Sequence, residues 1–334
     1  MCHRVGDLWK PYKRKVSDDL FYLAAVLNTA HGQAAIRTDM NGSVIDHTDA
    51  KMIAALRFPI VDSDLISDTA RSFRSAFEAR EAARLQLVNV QKRYIAHFGL
   101  ERWREVKNER RFGTQRNALS ERIDVEPRAP IYDALREMIG DRGCALSDIA
   151  NVFRPGSRYK TNYVQDSRFG LRLMNGRQIA QYRPIALKLM NISGFKNSSD
   201  FLLKEGMTLL TADGRAEENL ADCALVTSDR AGWAASGHVH RVAPRDGIDA
   251  GLVYLACSCG PVQLQLKALA TGSVVDGLSP SDVGSVRVPY ESSEEARELG
   301  QDAFSAWQQF SEASRLEATA TSALETTFSQ GLSV

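Results

Sequence analysis

Two segments about 230 residues apart follow the same order of landmarks, and this internal repeat constrains the fold more than any other feature. Residues 252–289 and 20–59 each read as a helix, a Gly/Ser turn, a helical turn and an edge strand. The matched landmarks are Tyr22-Leu23 with Tyr254-Leu255, Gly42-Ser43-Val44 with Gly272-Ser273-Val274, and Arg57-Phe58-Pro59 with Arg287-Val288-Pro289. Their offsets are 232 residues (254 − 22) and 230 residues (272 − 42), so one two-residue gap aligns the copies. A period this long indicates two large half-molecules, because solenoid repeats span roughly 20–50 residues.

Each copy is followed by a proline-free stretch with an apolar residue about every 3.5 positions, at 63–98 and 293–328. The apolar seams comprise Leu65, Phe73, Phe77, Leu87, Val90 and Tyr94 in the first stretch, and Leu299, Ala303, Ala306, Phe310, Ala313, Ala320 and Leu324 in the second. At about 1.5 Å per residue, each helix would be on the order of 50 Å long. Two such helices in a duplicated chain favour an antiparallel pair, and the alternative is that these amphipathic helices simply cover a core.

Two α/β segments that carry these landmarks, each followed by one long helix, resemble the DNA-specificity subunit of type I restriction-modification systems. The resemblance covers nearly the whole chain and is strongest in residues 145–328. It implies an α+β fold, in which a target-recognition domain of mixed α/β reads half of a bipartite DNA sequence and two long antiparallel helices form a coiled-coil spacer. It also implies that the partners are double-stranded DNA, modification (methyltransferase) subunits and a restriction subunit, and that the chemistry resides in those subunits.

On this resemblance the chain divides into five parts. They are a remnant of a first target-recognition domain (1–62), a central long helix (63–98), a charged linker and helix (99–144), a complete target-recognition domain (145–292) and a distal long helix (293–330). Residues 145–237 precede the second copy, and the first copy has no equivalent of them before it. We therefore expect a truncated or split subunit. The alternative is a chain that acts only as an assembly protein without independent DNA recognition, with a second specificity chain as a further partner.

Positive charge is concentrated in the predicted recognition domain. The whole chain has a formal net charge of only +1, but residues 145–200 contain nine basic and three acidic residues, a local balance of +6. Arginine bridges guanine or clamps phosphate, asparagine and glutamine bridge adenine, and tyrosine stacks or contacts the backbone. The predicted DNA contacts are Arg158, Lys160, Tyr163, Arg172, Asn175, Arg177, Gln178, Gln181 and Arg215. Any one of them is also an ordinary surface residue, so the prediction applies to the group.

Local patterns predict the elements that carry these residues. Residues 169–174 alternate as a strand that turns at Asn175-Gly176. Residues 206–215 resemble the strand and loop of the same family, which implies a core strand at 206–210 and a polar turn at 211–215. A further helix is predicted at 131–139. Cys257 and Cys259 lie within one apolar helical stripe that extends to residue 270, and we expect them to pack as small apolar side chains.

Motifs for independent catalysis are not found. The sequence contains no GxxxxGK[ST] phosphate loop, no methyltransferase base-pocket motif and no Gly-x-Ser-x-Gly elbow, which favours a noncatalytic chain without a cofactor. His238 and His240 are expected to share one strand face, but no third ligand completes a metal site beside them. Five scattered cysteines and the lack of a long apolar run favour a reduced cytoplasm and no membrane contact.

Overall fold

The computed structural model describes residues 18–38, 56, 61–108, 130–156, 159–272 and 275–331. In these ranges the α-helices are Asp18–Asn28, Ala30–Thr38, Ser63–His97, Trp103–Asn108, Pro130–Ile139, Leu146–Ile149, Gly176–Ile179, Ala250–Ser258, Gly260–Ala268, Pro280–Ser285 and Glu294–Gly331. Short 3-10 helices are Gly140–Arg142, Ser198–Phe201 and Ser228–Arg230. The fold is therefore mixed helix and sheet with two long helices, as the sequence predicts. Within these ranges, no helix is both long and apolar enough to span a membrane.

The strands of the described ranges form four small sheets. The largest orders Ala150–Phe153, Val239–Pro244, Thr208–Thr211 and Cys223–Leu225, and all its pairs are antiparallel. A second orders Tyr163–Val164, Lys188–Met190, Leu171–Met174 and Ala234–Ala235, of which the last pair is parallel. Two-stranded sheets join Gly143–Ala145 to Arg287–Pro289 and Asp213–Gly214 to Asp276–Gly277. The strands predicted within 169–174 and 206–210 are confirmed, and the second of them is buried along its whole length.

Packing divides the chain into two units, which are described separately. The smaller unit combines residues 1–81 with 312–334, and the larger unit comprises residues 82–311. In the smaller unit, Ala25 and Val26 share one apolar cluster with Phe73, Leu324 and Phe328 from the two long helices. Arg80 and Glu317 join the same two helices through a salt bridge of 2.9 Å.

In the larger unit the two long helices run antiparallel. The side chains of Gln86 and Gln309 are hydrogen-bonded at 2.8 Å, and Arg93 reaches Asp302 at 2.6 Å, so residue numbers fall along one helix as they rise along the other. The predicted helices at 63–98 and 293–328 are confirmed with bounds that differ by one to three residues.

The predicted seam residues are buried with two exceptions, both on the first long helix. Leu65 is half-buried, and Phe77 is 40% exposed. The prediction for Phe77 is wrong because its neighbour Ala76 occupies the buried position one residue earlier. The Phe77 ring instead lies 6.0 Å from the ring of Phe21.

The single helix predicted from 252 to 270 is wrong, because the chain breaks it into two helices at Cys259. Cys259 has extended backbone dihedral angles, and Pro261 lies in the first turn of the second helix, where a proline starts a helix but cannot continue one. The smaller unit has the same break at Thr29, whose hydroxyl accepts the Gly32 N–H at 2.9 Å. The two breaks are 230 residues apart (259 − 29), which matches the period of the sequence repeat.

Within the larger unit, the helix Ala250–Ser258 covers one face of the largest sheet and also touches the second long helix. The second contact is made by backbone, since a Cβ atom on Gly251 would lie 1.9 Å from the carbonyl oxygen of Gly300. A Cβ atom on Gly300 would lie 2.1 Å from Oδ1 of Asp249. The Asp249 side chain caps the helix Ala250–Ser258 by accepting the Leu252 N–H at 2.9 Å. Glycine is therefore required on both sides of this contact, which we call the glycine contact.

Candidate functional site

A groove of about 890 Å³ opens on the larger unit, where loops from both four-stranded sheets meet. Most of its lining residues come from the segments 154–163 and 236–238. The lining residues are Arg154, Tyr159, Lys160, Thr161, Tyr163, Leu173, Asn175, Asp213, Ser236, Gly237, His238 and Val275. The groove thus combines cationic, aromatic, amide and carboxylate side chains, which is the mixture that reads polar edges and anionic backbones.

One carboxylate organises the polar groups of the groove. Asp213 Oδ2 lies 2.6 Å from His238 Nδ1 and 3.5 Å from an Arg154 guanidinium nitrogen. The same Arg154 nitrogen donates to the carbonyl oxygen of Gly237 at 3.4 Å. Asp213 itself is held in place by the short strand pair with 276–277. An arginine and a histidine side chain are therefore oriented side by side around one carboxylate.

Tyr159 supports the loop on the opposite side. Its hydroxyl accepts the Gly237 N–H at 2.8 Å, and its ring makes edge contacts with Phe195 and Phe201 at centroid distances of 5.3 and 4.9 Å. Burial raises the pKa of Tyr159, so the hydroxyl remains protonated at neutral pH. A Cβ atom on Gly237 would lie 3.2 Å from this ring, which leaves little room for any larger residue.

Asn175 is positioned by the end of the strand Leu171–Met174. It is half-buried and begins the short helix Gly176–Ile179, and its backbone N–H donates to Gln178 Oε1 at 3.1 Å. Gln178 is buried, and its Nε2 donates to the carbonyl oxygen of Ile185 at 3.3 Å. Both polar ends of Gln178 are thus used inside the protein, in support of the loop that presents Asn175.

The remaining predicted contact residues have different surroundings. Lys160 and Tyr163 are exposed and line the groove, and Lys188 Nζ lies 4.6 Å from the centre of the Tyr163 ring. Arg172 is exposed on the second sheet, with its guanidinium 5.2 Å from the Trp233 ring. Arg177 is exposed, and Gln181 Oε1 accepts the Ile185 N–H at 2.9 Å.

Five predicted residues are not among the described residues that line the groove: Arg172, Arg177, Gln178, Gln181 and Arg215. Arg215 is exposed on the polar turn, 3.6 Å from Glu218. Arg158 lies outside the described residues. The structure therefore brings together Lys160, Tyr163 and Asn175, and it adds residues that the predicted set does not contain.

The added residues are Arg154, Tyr159, Asp213 and His238. Arg154 and Tyr159 belong to the same loop as Lys160, so their residue types and position were a usable signal. Asp213 carries the wrong charge for a phosphate contact. Nothing in the sequence indicates that it pairs with Arg154, 59 positions before it, and His238, 25 positions after it.

The expectation that His238 and His240 share one face is wrong, since His238 is exposed and His240 is fully buried. The regular strand begins only at Val239, so alternation does not extend back to His238. His240 Nε2 lies 3.0 Å from the carbonyl oxygen of Leu278, and burial lowers the pKa of His240 to about 4. Among the described residues, no group of three or more His, Cys, Asp or Glu side chains is arranged to hold a metal ion.

A buried arginine lies behind the groove. Arg241 is fully buried in the strand Val239–Pro244, and its guanidinium donates to the carbonyl oxygens of Ser236 and Val239 at 2.8 and 2.6 Å. It also donates to Phe201 at 3.2 Å and to Ala235. Burial lowers the pKa of Arg241 to about 10, so it keeps its charge at neutral pH.

Comparison with known proteins gives matches among solved structures only. No family model and no curated protein matches the chain. The HsdS subunit from Thermoanaerobacter tengcongensis is 12% identical with a TM-score of 0.36, over 94% of this chain and 69% of that one. The type I restriction-modification S subunit from M. genitalium is 13% identical with a TM-score of 0.39, over 94% and 72%.

A third similar structure was determined to explain complex assembly and conformational transition of the type I R-M system. It is 13% identical to this chain, with a TM-score of 0.38, over 93% of this chain and 69% of that one. The second and third of these structures are described as belonging to type I systems.

Proposed function

We propose that the chain is a noncatalytic, sequence-specific DNA-binding subunit of a type I restriction-modification complex, and that the groove of the larger unit contacts the DNA. The observation that carries the proposal is the convergence of Arg154, Lys160, Asn175 and His238 with two tyrosines in one open groove. Cations fix a protein on the phosphate backbone, whereas amide and imidazole groups discriminate between base edges.

Each groove residue has a role that suits its surroundings. Lys160 is exposed on the rim and is assigned to a phosphate. Asn175 ends a rigid strand on a capped turn and is assigned to a base edge, because its position is fixed by the buried Gln178. Arg154 and His238 are oriented by Asp213, which limits them to one direction of approach. This assignment gives Lys160 a backbone contact and Asn175 a base contact.

The chemistry is assigned to partner subunits, and the long helices are assigned to docking them. In the larger unit, Leu85 and Val88 are 60% and 40% exposed on the first long helix. Leu85 and Val88 are three residues apart, so they share one face of that helix. We assign this face to a modification (methyltransferase) subunit, and we assign the restriction subunit to the same complex.

Binding measurements on the full chain with its modification subunit test the proposal. Duplexes selected from random-sequence DNA should bind about 10³-fold or more tightly than unrelated duplexes at physiological salt. Asn175→Ala should reduce this preference at one base position by about tenfold, which corresponds to the 1–3 kcal/mol expected of a base contact.

Arg136→Ala is the control, because Arg136 is an exposed residue of the helix Pro130–Ile139 that does not line the groove. It should leave both affinity and sequence preference unchanged. Equal binding of all duplexes by the assembled complex would contradict DNA recognition and favour a chain that only assembles its partners.

A further inference from the structure

We infer that Arg241 is a positioning residue, which holds the groove segment 235–238 in one conformation and thereby sets how sharply the groove discriminates between DNA sequences. The inference rests on the proposed function, because it concerns the same groove. Arg241 does not line the groove itself, so it acts only through the residues it holds.

The first step is the set of acceptors. Four carbonyl groups accept hydrogen bonds from the Arg241 guanidinium, and three of them belong to the chain segment 235–239. The fourth belongs to Phe201, whose ring packs against Tyr159. A single rigid group therefore connects the backbone on one side of the groove with the aromatic support on the other side.

The second step is the link from the clamped backbone to the lining. Gly237 lies within the clamped segment, donates its N–H to Tyr159 and accepts from Arg154. His238 follows directly, and its own N–H donates to the Ser236 hydroxyl at 3.3 Å. A shift of this segment would therefore move Tyr159, Arg154 and His238 together.

The third step is the choice of residue. A guanidinium has five N–H donors in a fixed planar fork, and a lysine ammonium has three donors on a flexible stem. Lysine has fewer donors on a more flexible stem and could not hold the four carbonyl oxygens in one fixed arrangement. The substitution Arg241→Lys therefore keeps a long basic side chain and removes the planar fork.

Arg230 offers a matched control within the larger unit. It is also buried, and it donates to the carbonyl oxygen of Tyr182 at 2.6 Å and lies 5.5 Å from the Trp307 ring. None of these groups lines the groove. Arg230→Lys thus perturbs a buried arginine of the same domain without touching the segment 235–238.

The experiment compares Arg241→Lys and Arg230→Lys in the complex with the modification subunit. Three quantities are measured: thermal stability, the affinity ratio between a duplex selected by the wild-type protein and its single-mismatch versions, and hydrogen exchange at the Gly237 and His238 amides. Arg241→Lys should lower the affinity ratio about tenfold and speed exchange at both amides, whereas Arg230→Lys should change neither.

Two results would overturn the inference. One is an equal loss of discrimination by the two variants at equal loss of stability, and the other is an Arg241→Lys protein that does not fold while Arg230→Lys does. Either result assigns Arg241 to the core alone. A wild-type protein that shows no sequence preference would instead reject the proposed function, while the exchange rates would still test the clamp.

Discussion

The guanidinium of Arg142 donates to Oε2 of Glu291 at 2.8 Å and to the carbonyl oxygen of His97 at 2.7 Å. Glu291 also lies 2.7 Å from the His97 ring and accepts from the Ser293 hydroxyl at 2.7 Å. This cluster ties the end of the first long helix to the start of the second within the larger unit. The Arg142 hydrogen bond is the main reason that the pKa of Glu291 is lowered to about 2.

The lowered pKa predicts how stability depends on pH. A carboxylate whose pKa is lower in the folded than in the unfolded state stabilises the fold above its ordinary pKa of 4.5, and that contribution is lost as the pH falls from 4.5 toward 2. Glu291→Gln should therefore cost on the order of 1 kcal/mol at pH 7, a value reduced by solvent around the half-exposed Arg142. The cost should disappear near pH 2 in urea unfolding curves.

Glu298→Gln is the control for this prediction, because Glu298 is exposed on the second long helix. It should have little effect at either pH. If Glu291→Gln lowered the free energy of unfolding equally at pH 7 and at pH 3, the ion cluster would not hold the two helix ends together.

The glycine contact predicts a large effect from a small substitution. Gly300→Ala gains about 1 kcal/mol of helix propensity but places a methyl group against the Asp249 carboxylate that caps the neighbouring helix. Overpacking and loss of the cap together cost about 2–4 kcal/mol, so a net destabilisation of roughly 2 kcal/mol is expected in thermal unfolding.

The control for Gly300 is Gly284→Ala in the helix Pro280–Ser285. A Cβ atom there would lie 3.5 Å from Ser147 Cβ, an ordinary packing distance. Stability should stay the same or rise by up to about 1 kcal/mol. If both substitutions behaved alike, the close backbone approach at Gly300 would be refuted.

Lys160→Ala should weaken DNA binding for all sequences alike. Removing one phosphate contact lowers the slope of log affinity against log salt concentration by about 0.9. The slope is measured by anisotropy titrations of selected and unrelated duplexes between 50 and 200 mM salt, a range of about fourfold. A change of sequence preference without a change of slope would instead assign Lys160 to a base.

Three cysteines of the larger unit should resist alkylation in the folded protein. Cys223, Cys257 and Cys259 have pKa values raised by burial, that of Cys259 to about 12, so little thiolate forms at pH 8. Brief treatment with iodoacetamide and mass spectrometry should leave all three unmodified until the protein is unfolded in urea. Rapid labelling of Cys257 in the native state would contradict its burial between sheet and helix.

Helices with a long regular rhythm were the part of the fold that the sequence predicted best. The bounds of the two long helices and of Pro130–Ile139 agree with the predictions to within a few residues, because period and breakers are local signals. The break at Cys259 was missed although Gly260-Pro261 stands in the sequence, because an apolar stripe continues across it. The glycine contact was missed too, since a glycine inside a helix does not reveal its partner.

The candidate site was predictable in composition and less so in detail. Loop position and residue type singled out Lys160, Tyr163 and Asn175, which line the groove. A sequence does not distinguish a polar side chain that is buried from one that is exposed. The prediction therefore groups Gln178 with the contact residues, although its side-chain amide makes hydrogen bonds inside the protein. Arg241 lies in an alternating strand, and only the three-dimensional structure reveals the four carbonyl groups it holds.

The glycine contact also bears on how new binding specificities could be engineered. Because two stretches of main chain meet there, the close approach of the helix Ala250–Ser258 to the second long helix requires glycine at both positions. Neither Gly251 nor Gly300 is among the described residues that line the groove. Foreign groove loops can thus be transplanted into this protein without changing the glycine contact, provided that positions 251 and 300 remain glycine.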